Sequence, residues 1–344
     1  MTDTKTAVVT GAAGFIGSHM VDLLLDRGYQ VRAIDNLVGG HLRNIDHHQT
    51  NSNFTFENLD LRELDPNCDL FEDVDFVFHF AGRGDIVPSI EQPVDYVEAN
   101  VMGTVRALEA ARHAGAGKFL YAASSSCYGL AFESPTSEEA EIDLQYPYAL
   151  SKYLGEQAVH HWGSVYRMPV ISIRIFGAYG PRARTSGVYG GVFGVFLAQK
   201  LAGKPFTVVG DGTQLRDFIF VTDVARAFLA AAESDRSQET YNLGSGDPQS
   251  VNRLVELLDG DVTWLPDRPG EPKCTWANIS KIKDHLGWEP VVSFEEGVGT
   301  ILQNIDYWKE APLWDPSSIE IATRVWFDTL SNEPHSQKTP SHDV

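Results

Sequence analysis

A β-branched run, Thr6-Ala-Val-Val-Thr10, ends at the glycine turn Gly11-Ala-Ala-Gly14-Phe-Ile-Gly17, and a helical pattern starts inside that turn. No other feature narrows the fold as far. Ile16, Met20, Leu23 and Leu24 fall on one helical face, and Gly28 ends the pattern. A strand that turns tightly into a helix opens a βαβ unit, and the alternation continues. Strands are expected at 30–34, 54–59, 74–80, 118–124 and 170–176, with helices near 95–114 and 147–166. Strands joined through helices pair in parallel by right-handed crossovers. The chain is therefore expected to be α/β, with a doubly wound parallel sheet covered on both faces.

The rhythm loosens after residue 177. Gly177–Gly191 carries five glycines and reads as a long loop of functional importance. Helices are expected at 191–202, 222–233, 250–258, 278–286, 294–309 and 316–330, the last docked through Trp314 and Trp326. The polar, proline-containing stretch 331–344 reads as a disordered tail. A chain of 344 residues has room for about two units of roughly 150 each.

Lys plus Arg number 27 and Asp plus Glu 47, a net charge of −20. That balance argues against nucleic acid and anionic membranes as partners, because both need a basic face. An anionic ligand must then be held by local positive groups. The three cysteines, Cys68, Cys127 and Cys274, have no metal-ligand spacing, and no metal is expected. The N-terminal stretch lacks a basic region followed by an apolar one, and no long apolar run occurs. A reduced, cytoplasmic protein is the expectation.

Glycines at the first turn let the backbone approach a pyrophosphate, and the free N–H groups of the following helix favour its charge. The second strand ends at Asp35, 18 residues beyond Gly17, where a carboxylate suits the adenosine ribose hydroxyls and repels a 2′-phosphate. The reading is a dinucleotide site that prefers NAD to NADP.

Tyr148 and Lys152 stand four apart in Tyr148-Ala-Leu-Ser-Lys152, so a helix puts phenol and ammonium on one face. A neighbouring cation lowers a phenol's pKa from about 10, and an oxidised nicotinamide would add a second positive charge. Tyr148 is thus expected to act as a general base near neutral pH. Ser124-Ser125-Ser126 follows the fifth strand, at the sheet edge where such folds place ligands.

The glycine spacing and the serine, tyrosine and lysine set resemble the short-chain dehydrogenase/reductase superfamily in its extended branch. That resemblance implies a Rossmann domain over 1–176 with 216–244, and a smaller C-terminal α/β substrate domain over 177–215 with 245–330. It implies Ser124, Tyr148 and Lys152 as the catalytic set, with Lys152 also holding the nicotinamide ribose. It assigns cofactor contacts to Gly11, Gly14, Phe15, Ile16 and Gly17, and to Asp35 with Asn36. Asp60 and Leu61, in Leu59-Asp60-Leu61, resemble the family's adenine-contacting segment. Phe80, Ala81 and Gly82 resemble the loop under the cofactor, and Asn100 the family's helix asparagine beside the site.

Downstream, Arg174-Ile-Phe-Gly-Ala-Tyr-Gly-Pro181, Gly210-Asp-Gly-Thr-Gln-Leu-Arg216 and Arg268-Pro-Gly-Glu271 resemble the nucleotide-sugar epimerases and dehydratases, closest to the UDP-glucose 4-epimerases. The resemblance implies Arg216 and Arg268 on the substrate diphosphate. It places Ser125, Ser126, Gly177 and Thr275 along the sugar. Dehydratases of this family carry an Asp-Glu pair after the catalytic serine, and related decarboxylases a Glu. This chain has Ser125 and Ser126, so both chemistries lack their carboxylate; what remains resembles oxidation and re-reduction at C4, with a net dehydrogenase or reductase on a similar substrate as the alternative. The implied reaction takes the 4-hydroxyl proton to Tyr148 and the C4 hydride to NAD, turns the 4-keto sugar over, and returns the hydride to its other face. Gly177 stands where the family has an asparagine, and Thr275 where hexose-specific members place a bulky tyrosine. A small residue there leaves room for an acetamido group. The 95–114 and 147–166 helices resemble the family's dimer elements. Val97, Val101, Thr104, Val105 and Leu108 offer an apolar stripe for a homodimer.

Overall fold

In the computed structural model, residues 4–131, 133–183, 191–267 and 271–330 are described. Seven strands form the central sheet: β1 (Thr6–Thr10), β2 (Gln30–Asp35), β3 (Phe54–Asn58), β4 (Phe76–His79), β5 (Lys118–Ser124), β6 (Val170–Ile175) and β7 (Glu239–Leu243). Their order is β7-β6-β5-β4-β1-β2-β3, every pair parallel. Strand order reverses between β1 and β4, which opens a crevice at their carboxyl ends.

The helices that frame this crevice are α1 (Phe15–Asp26), α2 (Ile86–Glu91), α3 (Gly103–Ala114), α4 (Pro147–Tyr166), α5 (Val221–Glu233) and α6 (Pro316–Leu330). One sheet face buries Met20, Val21 and Leu24 of α1 with Val224 and Phe228 of α5. The other buries Ala107 and Leu108 of α3 with Val159 of α4. The expected 95–114 helix is interrupted: Pro93–Val97 leads into a wide π turn, Glu98–Met102, before α3. Such turns often mark functional positions, and Asn100 sits in this one.

β7 was not expected from sequence, because Asn242 breaks its apolar pattern. That asparagine is fully buried and satisfied. Its Nδ2 donates to the Thr136 carbonyl at 3.0 Å, its N–H reaches Glu138 at 2.8 Å, and its Oδ1 accepts from the Tyr128 hydroxyl at 2.7 Å.

A second core lies beyond the crevice. Tyr179, Phe193, Phe218 and Phe294 pack as a ring cluster, with centroids 4.8 Å apart for Tyr179–Phe193 and 5.2 Å for Phe193–Phe218. Each such aromatic pair adds about 0.5–1.5 kcal/mol beyond area burial. The expected long loop starts instead as a strand, Gly177–Tyr179, paired in parallel with Phe218–Phe220. A strand of three residues that begins on a glycine is too short to show a period. Leu215–Arg216 pairs with both Gln249–Ser250 and Cys274–Thr275. The packing is more interleaved than the expected two units: Ala277, Ile279, Ile282 and Trp288 join the sheet core, and Phe218 and Phe220 join the second core. Among the described residues no helix is long and apolar enough to cross a membrane.

Candidate active site

The glycine turn is a backbone device. Gly11 takes φ +67°, and a Cβ on it would come 2.7 Å from the Ala81 nitrogen and 2.8 Å from the Phe80 carbonyl carbon. A Cβ on Gly17 would run into the Gly11 carbonyl. The chain after β1 therefore lies directly against the loop after β4. Gly14 caps α1 with no side-chain hydrogen bond, so the first turn of Phe15, Ile16 and Gly17 has no side-chain cap at its N–H end. These features fit a dinucleotide pyrophosphate.

Asp35 is buried at the end of β2. Its Oδ2 accepts from the Ala13 N–H at 3.0 Å and its Oδ1 from the Leu37 N–H at 2.7 Å. Burial pushes its carboxyl up, against the pull of these amides. Asn36 donates to Asp60 at 3.0 Å, and Asp60 pairs with Arg62 at 2.8 Å, which holds its carboxyl well below the usual range. Leu61 packs into the sheet core.

Beneath the crevice, His79 is fully buried. Its Nδ1 is 2.8 Å from Thr10 Oγ1 and its Nε2 2.9 Å from Thr104 Oγ1. The Thr104 hydroxyl donates to the Asn100 carbonyl at 2.7 Å, so Nε2 must carry the imidazole proton and Nδ1 must accept. Burial lowers the His79 pKa to about 3, which keeps the ring neutral. Asn100 ties the β4 loop to α4. Its Oδ1 accepts from the Arg83 N–H at 2.7 Å, and its Nδ2 donates to the Arg83 carbonyl at 3.0 Å and to Ser151 Oγ at 2.9 Å. Gly82 leaves the room this needs, since a Cβ there would meet Asn100 Oδ1 at 2.7 Å.

Ser124 ends β5, and Tyr148 and Lys152 lie one turn apart on α4. The Tyr148 hydroxyl donates to Ser124 Oγ at 3.2 Å, and Ser126 Oγ donates to the same oxygen at 2.8 Å. Ser125 follows in the same turn. Lys152 Nζ sits 4.3 Å from the Tyr121 ring centroid. The expected lowering of the Tyr148 pKa does not occur in the protein alone. Burial pushes the phenol up, with Asp85 adding to the rise, while burial pushes Lys152 down to about 7. Desolvation penalises both charges, and Lys152 so lowered lends little cation to the phenol.

Sequence reasoning missed the neighbours of this set. Tyr148 lies between Tyr146, with parallel rings 6.4 Å apart, and Tyr96, edge-on at 6.4 Å. One turn beyond Lys152, Glu156 takes Arg174 in a buried ion pair at 2.5 Å, and Arg174 donates to the Tyr128 hydroxyl at 2.7 Å. Glu156 sits at i+4 from Lys152, a spacing that signalled it.

On the substrate side, Arg216 Nη2 pairs with Glu271 Oε1 at 2.7 Å. Thr275 lies opposite Arg216 in register, and its hydroxyl faces the Asp217 N–H at 3.4 Å. Gly177 donates its N–H to the Asp217 carbonyl at 2.9 Å, and a Cβ on it would stand 2.7 Å from that oxygen. This close approach explains why no asparagine fits there. Arg268 and the tail after residue 330 lie outside the described residues. Away from this site, the His47 and His48 imidazoles both lie within 3.0 Å of Asp22 Oδ1, and Arg182 pairs with the other Asp22 oxygen at 2.7 Å.

Comparison with known proteins agrees with this geometry. The model of the NAD dependent epimerase/dehydratase family matches residues 7–244. The UDP-glucose 4-epimerase of Mycolicibacterium smegmatis is 33% identical over 304 residues, 86% of this chain and 97% of the relative. The UDP-glucuronate 4-epimerase of Thermodesulfobacterium geofontis is 32% identical over 333 residues, covering 92% and 98%. Among solved structures, the UDP-glucuronic acid 4-epimerase of Bacillus cereus, in complex with UDP-glucuronic acid and NAD, superposes with a TM-score of 0.81 at 34% identity. That match covers 89% of this chain and 99% of the other. The UDP-N-acetylglucosamine 4-epimerase of Methanobrevibacter ruminantium, in complex with UDP-N-acetylmuramic acid, gives 0.82 at 31% identity, covering 88% and 100%. With the glycine cradle, the switch-point crevice and the serine, tyrosine and lysine set in one place, this chain belongs to the NAD dependent epimerase/dehydratase family.

Proposed function

We propose that this protein inverts C4 of a nucleotide-diphosphate sugar through a transient 4-keto sugar. One observation carries the reading: the Tyr148 phenol is hydrogen-bonded to Ser124 at 3.2 Å, and hydroxyls rather than carboxylates follow at positions 125 and 126. The site can move a proton on and off a sugar hydroxyl, but it lacks the acid pair that elimination across C5 and C6 requires. NAD supplies the reversible acceptor for the C4 hydrogen. The protein does the rest. Ser124 holds the reacting oxygen and Tyr148 takes its proton. Lys152, whose Nζ would lie 3.9 Å from a Cβ on Gly82, would hold the nicotinamide ribose. Phe15, Ile16 and Gly17 would offer N–H groups to the pyrophosphate, and Asp35 with Asn36 would hold the adenosine ribose.

Arg216 and Arg268 are the proposed diphosphate clamp, since guanidinium forks suit phosphate and offset the overall charge of −20. The nucleotide is proposed as UDP, with a hexose, N-acetylhexosamine or hexuronate attached. The 4-epimerase relatives and the UDP-sugar ligands of the solved neighbours support this.

The acting species is proposed as a homodimer. Val97, Met102, Leu150 and Leu154 are each more than a third exposed on adjacent helices, although Thr104 and Leu108 of the expected stripe lie in the protein's own core. The direct test incubates the purified protein with UDP-glucose, UDP-N-acetylglucosamine and UDP-glucuronate and resolves the product sugars. The expected result is the C4 epimer of at least one, without stoichiometric NADH. A stable 4-keto-6-deoxy product, or none at all, overturns the reading.

A further inference from the structure

The chain continues past its second core. Trp314 packs on that core, and its carbonyl accepts from Gln199 Nε2 at 2.8 Å. Asp315 then caps α6: its Oδ1 takes the Ser318 N–H at 2.8 Å, with Pro316 at the first helical position. Ile319 and Thr323, one turn apart, are almost completely buried, and α6 packs on α2, just beyond the Gly82 loop and Asp85. The next residue on that face is Trp326. Its ring lies 6.2 Å from Tyr146, which stacks parallel to Tyr148. Tyr96, Tyr148, Tyr146 and Trp326 thus form one aromatic row from the floor of the site to the helix above it. Burial chiefly, with a smaller contribution from the neighbouring Tyr148, pushes the Tyr146 phenol up. Tyr146 thus links the helix to the reacting tyrosine. The helix carries the chain from Pro316 to Trp326, a rise on the order of 15 Å.

We propose that α6 is a built-in cap over the sugar end of the site, with Trp326 as a positioning residue that acts through Tyr146 to orient the Tyr148 phenol and to retain the 4-keto sugar until it is reduced again. The inference rests on the C4 reading above. Oxidation removes one hydride and one proton from C4–O–H. While the ketone stays, both return and the cofactor ends oxidised. If the ketone leaves, its two electrons stay on the cofactor, and the proton passes from Tyr148 to water.

The test compares wild type with Trp326→Ala and Trp326→Phe, each checked for an unchanged melting profile. The alanine variant should lose kcat by about tenfold or more and accumulate reduced cofactor, seen by its near-ultraviolet absorbance, up to one equivalent per enzyme. The phenylalanine variant should keep most of the rate without that accumulation. An alanine variant that turns over like wild type, with no accumulation, overturns the cap. Tryptophan emission gives a readout that does not depend on the reaction. UDP-glucose should change the emission of wild type but not that of Trp326→Phe, and an identical change in both overturns the cap. If wild type binds UDP-glucose with the Trp326 signal yet yields no C4 epimer of any sugar, the C4 reading fails and the cap over the sugar site stands.

Discussion

The two sides of the crevice are built by different means. The cofactor side is made of backbone: Gly11 against Ala81, the Ala13 and Leu37 amides on Asp35, and Asn100 clasping both polar groups of Arg83. The proposed substrate side is made of side chains on short strands, with Arg216 held by Glu271 and Thr275 beside it. The contrast teaches where each side can vary. A substitution on the cofactor side strikes the fold, while one on the substrate side strikes affinity and leaves the sheet standing.

Gly11→Ala is the strongest test of that contrast. It adds a Cβ in a left-handed conformation within contact of the β4 loop, and it should cost about 3 kcal/mol or more and abolish NAD retention. A variant that melts normally and keeps NAD would break the distinction. Gly177→Asn is the informative exception, because it lies on the substrate side but presses on the Asp217 carbonyl. Restoring the family's asparagine there should lower stability by about 2 kcal/mol and should not improve turnover. Arg216→Ala should leave the melting temperature within a degree or two and raise KM by about tenfold or more, the weight of one charge-assisted hydrogen bond.

The smallest effect concerns protons. Lys152 falls from its ordinary value of 10.5 to about 7 in the cofactor-free protein. The folded state then binds fewer protons than the unfolded state between those values, so stability rises with pH through that window and carries the full penalty below pH 7. In cofactor-free protein, Lys152→Met should therefore be the more stable form at pH 6, by roughly 1 kcal/mol or more, with the advantage fading towards pH 10. Denaturant melts at both pH values measure this.

The same contrast explains what could be read in the sequence. Six of the seven sheet strands and the long helices followed from periodicity, because a parallel sheet needs near-continuous apolar runs. The cofactor side was legible because its demands are local: glycines in a turn and an acid at a strand end. β7 was hidden by Asn242, whose buried bonds come from Tyr128 and Thr136, far away in the chain. The pairing of Arg216 with Glu271 was equally invisible, since the partners are 55 residues apart. The upward direction of the Tyr148 shift in the cofactor-free protein was hidden for a related reason. Spacing places a lysine near a phenol but says nothing about the desolvation that both share.

The most direct measurement of the central claim follows one hydrogen. UDP-glucose deuterated at C4 is incubated with the purified protein in ordinary water, and the product sugar is analysed by mass and by NMR. Removal and return of the same hydrogen within one site predicts UDP-galactose that keeps its C4 deuterium, with none gained from solvent and none lost. A C4 epimer whose deuterium has exchanged with water, or a product unchanged at C4 and altered at C5 or C6, would contradict it.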